Sequence, residues 1–299
     1  MPNENPPPRS IFAEIETVFH ALSLYGAAGI AAFGWAMGWF LGVDAAPWLP
    51  LWFCAGLVIY NADRLRRDPA DALNLPARTA AGARLRTASA ATLALAAVVL
   101  IGLPAWRRDW VALYFICAGA IISLGYSIPV LGFRWKDLPL VKTLFAPAVI
   151  TIAVFGPPVI ERPGYFGPDD LARPASWAFC YLLFNMLICD LRDLAGDAQC
   201  GIHSIPVVIG EKGARGLLWA LAIAGVLLLP TPLLVRTGYP MPYYPVIFLT
   251  GFWQACLIHA TRSPRSERFY EWAVEGMLYA PALACGITTV FRHFAGQNV

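Results

Sequence analysis

The stretch that decides the fold is residues 174–197, which read PASWAFCYLLFNMLICDLRDLAGD. The stretch begins as an apolar block and ends in three aspartates, Asp190, Asp193 and Asp197. About 20 apolar residues are enough to cross the hydrocarbon core of a bilayer as an α-helix. The stretch therefore predicts a membrane-spanning helix that carries acidic residues out to one membrane face.

The rest of the chain repeats this apolar character. Of the 299 residues, 58% are hydrophobic and 14% are charged, whereas about a quarter of a soluble domain is charged. We predict an all-α integral membrane protein with nine transmembrane helices in one domain, residues 16–292, between tails 1–15 and 293–299. The predicted spans lie near 16–42, 46–62, 87–106, 109–127, 140–160, 174–192, 215–235, 243–261 and 270–291.

The basic residues lie mostly on one side of these spans. Most of the 22 Lys and Arg residues fall in the tail and in segments 63–86, 128–142, 192–215 and 262–268, which alternate with the other connections. Because short cytosolic loops are enriched in Lys and Arg, we predict that the N-terminus is cytosolic.

The three aspartates that follow span 174–192 have helical spacing. At about 100° per residue, Asp190, Asp193 and Asp197 fall within about 60° of one another. Clustered carboxylates repel one another unless a cation lies between them, and hard oxygen ligands suit Mg2+. The pattern indicates a metal site; the alternative is a solvated helix end.

A second acidic segment, residues 60–78, reads YNADRLRRDPADALNLPAR. Asp63, Asp68 and Asp71 offer further oxygen ligands, and the arginines between them can bind phosphate. Pro69 is expected to end the helix near Asp68, so Asp71 would return towards Asp63 through a loop. A basic loop that only sets the membrane topology is the alternative interpretation.

A third segment, Tyr126 to Pro129 with Arg134, Lys136 and Lys142 after it, adds cations on the same side. Basic residues that only set the membrane orientation are the alternative interpretation. As loop cations, the lysines are expected to matter more for ligand binding than for folding. All three segments lie at the cytosolic ends of even-numbered spans. Packing would bring carboxylates and cations to one depth, a combination that suits a diphosphate bound with Mg2+.

These motifs resemble the UbiA superfamily of intramembrane prenyltransferases over essentially the whole chain. The family's Asp-x-x-x-Asp falls on Asp193 and Asp197, and residues 201–206 match its continuation. Asn74 to Arg78 matches its Asn-x-Pro-x-Arg stretch. The first aspartate motif along the chain lies in residues 60–78, and the second is formed by Asp190, Asp193 and Asp197. The first motif departs from the family, because Asp63 lies eight residues before Asp71 instead of four. An insertion of about one turn leaves open whether Asp68 or Asp71 reaches the metal.

The resemblance implies a ring of nine helices around a central cavity and a Mg2+-dependent transfer of a prenyl group from a prenyl diphosphate to a lipophilic acceptor, an aromatic compound or quinone precursor. The implied catalytic residues are Asp63, Asp71, Asp190, Asp193 and Asp197, and the implied metal ligands are Asp63, Asp68, Asp71, Asp193 and Asp197. The implied diphosphate-binding residues are Asn61, Arg64, Arg78, Tyr126, Arg134, Lys136, Lys142 and Arg192.

Two other functions remain open at this point. A terpene cyclase of the same family would ionise the diphosphate without an external acceptor. A transporter would place ionisable residues near the bilayer midplane, whereas here they cluster at one face.

The expected partners are membrane lipids and no nucleic acid, and the expected location is a bacterial inner membrane with the site on the cytosolic side. Glu271 and Glu275 begin the last span, where the pattern favours a lipid boundary over a cavity lining.

Overall fold

The computed structural model describes residues 10–66, 69–127, 135, 138–228 and 244–294, and the regular elements within them are helices. A 3₁₀ turn, Ala46–Trp48, precedes α3, and the last helical run passes through a π-helical segment, Tyr270–Val274, and a 3₁₀ turn, Met277–Tyr279. The α-helices are α1 (Ile11–Ala21), α2 (Leu24–Leu41), α3 (Leu49–Arg66), α4 (Pro69–Asn74), α5 (Pro76–Arg84), α6 (Arg86–Arg107), α7 (Trp110–Ser127), α8 (Val141–Glu161), α9 (Pro168–Gln199), α10 (Ile205–Leu228), α11 (Tyr244–Ala260), α12 (Glu267–Phe269) and α13 (Ala280–Phe294).

Five helical runs in the described residues are long and apolar enough to cross a membrane. They are α2, α6, α8, α9 and the run Glu267–Phe291, and the shorter stretches Trp110–Ser123 and Tyr244–Ala260 are also apolar. The outer face of α6 exposes Leu95, Val98 and Ile101, as expected for side chains that face lipid. The predicted all-helical membrane architecture is confirmed, while the count of nine and the orientation stay predictions.

The longest helix, α9, lies at the centre of the molecule and packs against α8 and α10. Its Trp177 and Tyr181 are buried and stack on Phe33 of α2, with ring centroids 6.4 and 6.0 Å apart. These stacked rings fix α9 against α2. The part of α9 that carries the aspartates is thereby held in place.

The predicted span 16–42 is wrong as a single helix, because the chain breaks between α1 and α2. Ser23 adopts a left-handed conformation, with φ of 60°. The last carbonyls of α1 are bound by side chains of α3: Asn61 Nδ2 donates to Leu22 O over 3.1 Å, and Arg64 donates to the carbonyls of His20 and Ala21. These donors satisfy a helix end that would otherwise leave its carbonyls unpaired.

The segment predicted as a loop after Asp68 is helical instead. Pro69 and Pro76 each stand at the first position of a short helix, where a missing N–H costs no hydrogen bond. The N-terminus of α5 is held by Glu267, whose two carboxylate oxygens accept from Ala77 N and Arg78 N over 3.0 and 2.9 Å. The acidic segment therefore forms two ordered short helices that pack over the helical bundle.

Candidate active site

The two acidic motifs meet on one cavity of about 370 Å3. Its wall is built from α3 to α9 and from the last helical run. The carboxylates that line it are Asp63 and Asp71 from the first motif, Asp190 and Asp193 from the second, and Glu275. Helices far apart in sequence thus bring four of the predicted catalytic aspartates to the same space.

The second motif lies wholly on α9, as its spacing predicts, but its three aspartates have different surroundings. Asp190 and Asp193 line the cavity. Asp197 is fully buried outside that lining, and its carboxylate oxygens accept from Lys142 Nζ over 2.7 and 2.6 Å. Asp190 accepts from Thr143 Oγ1 and lies 3.7 Å from Lys142 Nζ. Lys142 therefore joins α8 to two of the three aspartates.

Lys142 belongs to the first turn of α8 and not to a loop. It also lines the cavity, so its side chain faces the space while its ammonium group is bound to Asp197. Leu140 N donates to His203 O over 2.9 Å, and Ile205 N donates to Thr143 Oγ1 over 3.0 Å. These bonds fasten the start of α8 to the segment that follows α9.

Arg192 is held on two sides. Its Nε and Nη2 donate to the two carboxylate oxygens of Asp193 over 2.7 and 2.9 Å, which is a bidentate pair. The guanidinium carbon also lies 5.0 Å from the centre of the Tyr270 ring, in cation–π contact. Arg192 is thus oriented at the cavity wall between α9 and the last helical run.

The first motif is placed by a contact between α4 and α9. Asn74 Oδ1 accepts from Gly196 N over 3.2 Å, and a Cβ on Gly196 would lie only 2.2 Å from that oxygen. Asp71 lies three residues before Asn74 on the same short helix and lines the cavity. Asp63 lies near the end of α3 and is exposed at the cavity. A glycine on α9 therefore permits the approach that brings Asp71 to the cavity shared with Asp190.

The predicted diphosphate-binding residues divide into three groups. Asn61 lies outside the cavity lining, where it binds the end of α1 and its own helix. Arg134 and Lys136 lie outside the described residues, as does Asp68 of the predicted metal ligands. Arg64, Arg78, Tyr126, Lys142 and Arg192 line the cavity, and the Tyr126 ring stacks on Phe145 with centroids 4.2 Å apart.

Glu275, Asn185 and Tyr60 line the cavity without having been predicted there. The interpretation of Glu275 as a lipid-boundary residue is wrong. The sequence shows that Glu275 lies four residues after Glu271. The direction of the Glu275 side chain, however, depends on the π-helical segment Tyr270–Val274 that precedes it. Tyr60 precedes Asp63 by three positions on α3, and this helical spacing was the signal that could have found it. Asn185 precedes Asp190 by five positions on α9, a spacing that gives no such signal.

The donor set of the cavity fits a hard divalent cation. Within the described ranges, no three His, Cys, Asp or Glu side chains come close enough to form a metal site by themselves. Mg2+ usually takes only one or two carboxylates and completes its shell with water and phosphate oxygens. Carboxylates of Asp63, Asp71, Asp190 and Asp193 around one cavity satisfy this requirement.

Comparison with known proteins agrees with this geometry. The family model described as the UbiA prenyltransferase family matches residues 68–275. A protein named digeranylgeranylglyceryl phosphate synthase from Methanopyrus kandleri is 28% identical over 233 residues, which is 72% of this chain and 80% of that protein. The protein of the same name from Pyrococcus furiosus is 28% identical over 160 residues, 51% of this chain and 54% of the relative.

The fold has a solved relative. The apo structure of a UbiA homologue from Aeropyrum pernix K1 superposes with a TM-score of 0.63 at 17% sequence identity, covering 90% of this chain and 98% of the other. At that identity the likeness shows the fold. The family match spans more than half of the chain and includes the cavity-lining residues from Asp71 to Glu275, and the chain therefore belongs to the UbiA prenyltransferase family of membrane enzymes.

Proposed function

We propose that this enzyme transfers a prenyl group from a prenyl diphosphate to a lipophilic acceptor in the cavity between α3, α4 and α9. The observation that carries the proposal is the meeting of both aspartate motifs there, Asp63 and Asp71 facing the space together with Asp190 and Asp193. Carboxylates beside cations in one cavity fit a metal-bound diphosphate better than a transported solute.

The four aspartates would hold Mg2+. When bound, the cation supplies positive charge that neutralises the diphosphate as its bond to carbon breaks. Asp63 and Asp71 approach from the α3–α4 side and Asp190 and Asp193 from α9, so each wall contributes the one or two carboxylates that Mg2+ prefers. Asp197, bound to Lys142, acts through that lysine.

The basic residues of the cavity would orient the diphosphate. Lys142 and Arg192 lie on the α8–α9 side, and Arg64, Arg78 and Arg86 lie on the other side. Arginine binds phosphate oxygens in a bidentate manner, and lysine acts as a point charge. Cations on both sides would fix the diphosphate leaving group. The aromatic rings of Tyr60, Tyr126 and Tyr270 would exclude water around C1, the prenyl carbon that bears the diphosphate.

The acceptor is proposed to enter from the lipid. The family resemblance implies an aromatic compound or quinone precursor, whereas the curated relatives are named for a digeranylgeranylglyceryl phosphate. A geranylgeranylated glyceryl phosphate therefore belongs beside aromatic compounds in an acceptor panel. We propose nine spans with a cytosolic N-terminus and a cytosol-facing site, as the basic loops favour.

Conservative aspartate variants test the site. Asp63→Asn, Asp71→Asn and Asp193→Asn should each lower turnover about 100-fold or more, close to 3 kcal/mol of transition-state stabilisation, because asparagine keeps the shape and removes the charge. Asp68→Asn should have a milder effect. Asp169→Asn is a matched control, because Asp169 is exposed on α9 about 36 Å along the helix from Asp193.

The measurement is turnover of radiolabelled geranylgeranyl diphosphate by purified variants of equal thermal stability. Full activity in Asp193→Asn would show that the second motif is not needed for the reaction. Loss in Asp68→Asn combined with full activity in Asp71→Asn would show that the insertion in the first motif is placed wrongly and that Asp68 is the second ligand.

A further inference from the structure

One carboxylate of the cavity belongs to neither motif. Among the cavity-lining residues that the structure describes, Glu275 is the acid outside the two aspartate segments. It lies on the last helical run, which forms a wall of the cavity together with α3, α5 and α9. The proposed diphosphate site accounts for the four aspartates and leaves this carboxylate without a role.

An irregular turn places Glu275 at the cavity. Residues Tyr270–Val274 form a π-helical segment, and Glu275 N–H donates to the carbonyls of Tyr270 and Trp272. In an α-helix, residues five apart point about 140° away from each other. The wider π turn, closed by i to i+5 bonds, brings such residues onto one face. Tyr270 and Glu275 consequently both line the cavity.

The irregular turn is held by three neighbouring helices. In a membrane, the carbonyls of an irregular helix are stabilised by donors from neighbouring helices. Side chains of α2, α9 and α11 supply them: Tyr25 Oη donates to Trp272 O over 3.3 Å, Trp253 Nε1 to Ala273 O over 2.9 Å, Asn185 Nδ2 to Val274 O over 2.7 Å, and Tyr181 Oη to Met277 O over 2.6 Å. Because separate helices support these carbonyls, the surrounding fold specifies the π turn.

The surroundings of Glu275 leave its carboxylate accessible. Its Oε1 lies 3.9 Å from Arg78 Nη1, which is a loose ion pair, and its side chain is 22% exposed. Gly26 lies behind it, where a Cβ would be 3.2 Å from Oε2. The charged and titratable groups that face it are Arg78 of α5, Arg64 and Tyr60 of α3, Tyr25 of α2, Cys189 of α9, and Glu271 and Tyr279 of its own helical run.

We infer that Glu275 accepts the proton of an acceptor hydroxyl, so that the acceptor is an alcohol or a phenol that reacts through oxygen. The inference rests on the proposed function. The bond between prenyl C1 and the diphosphate oxygen breaks, and the diphosphate leaves with the electron pair. A lone pair of the acceptor oxygen forms the new C1–O bond, and the hydroxyl proton passes to the Glu275 carboxylate, which later releases it to water.

Glu275→Gln tests this role with Glu271→Gln as the matched control. Glu271 lies four residues earlier on the same helical run and outside the cavity lining. General-base catalysis contributes about 100-fold to 10,000-fold. Glu275→Gln should therefore form product at least about 100-fold more slowly at pH 7, with a rate that rises with pH as hydroxide replaces the carboxylate. Glu275→Asp should recover part of the rate, and Glu271→Gln should match the wild type.

The assay uses geranylgeranyl diphosphate with a geranylgeranylated glyceryl phosphate in one arm and 4-hydroxybenzoate in the other, which separates alcohol from phenol acceptors. Binding of geranylgeranyl thiolodiphosphate should stay within about threefold of wild type in Glu275→Gln. If Glu275→Gln keeps the wild-type rate and pH profile, the inference is wrong while the proposed function stands. A loss of donor binding as large as the loss of rate would also overturn the inference. A wild-type protein that consumes no prenyl diphosphate would instead contradict the proposed function.

Discussion

At the scale of single residues, the contact between Asn74 and Gly196 decides where the first motif lies. We expect Gly196→Ala to reduce turnover at least about tenfold, because its Cβ would overlap Asn74 Oδ1 and displace the helix that carries Asp71. Overpacking of this kind costs about 1–3 kcal/mol, measurable as a lower unfolding temperature. Asn74→Ala in the same background should restore stability.

The control for that variant is Gly102→Ala. Gly102 lies in α6, and a Cβ added there would meet nothing within 4 Å, so alanine should leave the protein unchanged or slightly more stable. Equal behaviour of Gly196→Ala and Gly102→Ala would show that α4 does not depend on the close approach to α9.

Lys142 is a second residue whose expected role differs between the sequence and the structure. The sequence suggests a loop cation, but Lys142 is the partner of the fully buried Asp197. We expect Lys142→Ala to cost about 3–5 kcal/mol of folding stability, because it leaves a buried charge unpaired. Asp197→Asn in the Lys142→Ala background should recover a large part of this loss. A double-mutant cycle in denaturant measures the coupling, and additive losses would contradict the pairing.

The site residues differ in how far the sequence could predict them. Asp190 and Asp193 follow from helical register, since both lie on one helix at the end of an apolar block. Asn61 and Glu275 do not follow from it. Asn61 binds the broken end of α1, and Glu275 faces the cavity through a π turn that distant side chains stabilise. Both outcomes depend on tertiary contacts that no local pattern records.

At the scale of elements, the helix α1 lies before the first membrane-spanning helix and carries His20. Burial lowers the pKa of this imidazole to about 4; the nearby Glu16 carboxylate opposes the shift, and Arg64 adds to it. Because the folded pKa lies below the ordinary value of about 6.5, the neutral imidazole stabilises the folded protein above that pH. Its contribution is lost as the pH falls from about 6.5 towards 4.

We therefore expect acidification to lower the unfolding temperature of the wild type more than that of His20→Phe. Phenylalanine keeps a ring beside Trp272, whose centroid lies 4.7 Å from His20, and cannot be protonated. Thermal unfolding in detergent at a series of pH values between neutrality and the folded pKa measures the difference. Parallel curves for the two proteins would show that His20 is not buried in its neutral form.

The elements themselves were largely predictable. Runs of apolar residues predicted α3, α6, α7 and α8 to within a few residues, because lipid requires continuous apolar helices. The pattern failed where polar side chains end a helix inside an apolar run, as at Ser23. It also failed where prolines begin short helices in a charged segment, as in α4 and α5.

At the scale of the whole molecule, the fold brings one end of several helices around the shared polar cavity, while apolar side chains on their outer faces remain exposed. The helix α9 joins the apolar part of the bundle to the polar cavity, because it carries stacked aromatic rings in its middle and aspartates near its end. Hydropathy predicts such a membrane protein. It does not predict which helices pack together, because lipid-facing and helix-facing positions are equally apolar.

The central claim is that the cavity uses a prenyl diphosphate to prenylate an acceptor. The most direct measurement is product mass spectrometry of the purified protein with geranylgeranyl diphosphate and Mg2+, in the presence and absence of the acceptor panel, with and without excess EDTA. We predict acceptor-dependent prenylation that releases one diphosphate per product and stops in EDTA. Full turnover in EDTA, or a terpene hydrocarbon or alcohol formed equally well without acceptor, would contradict the account.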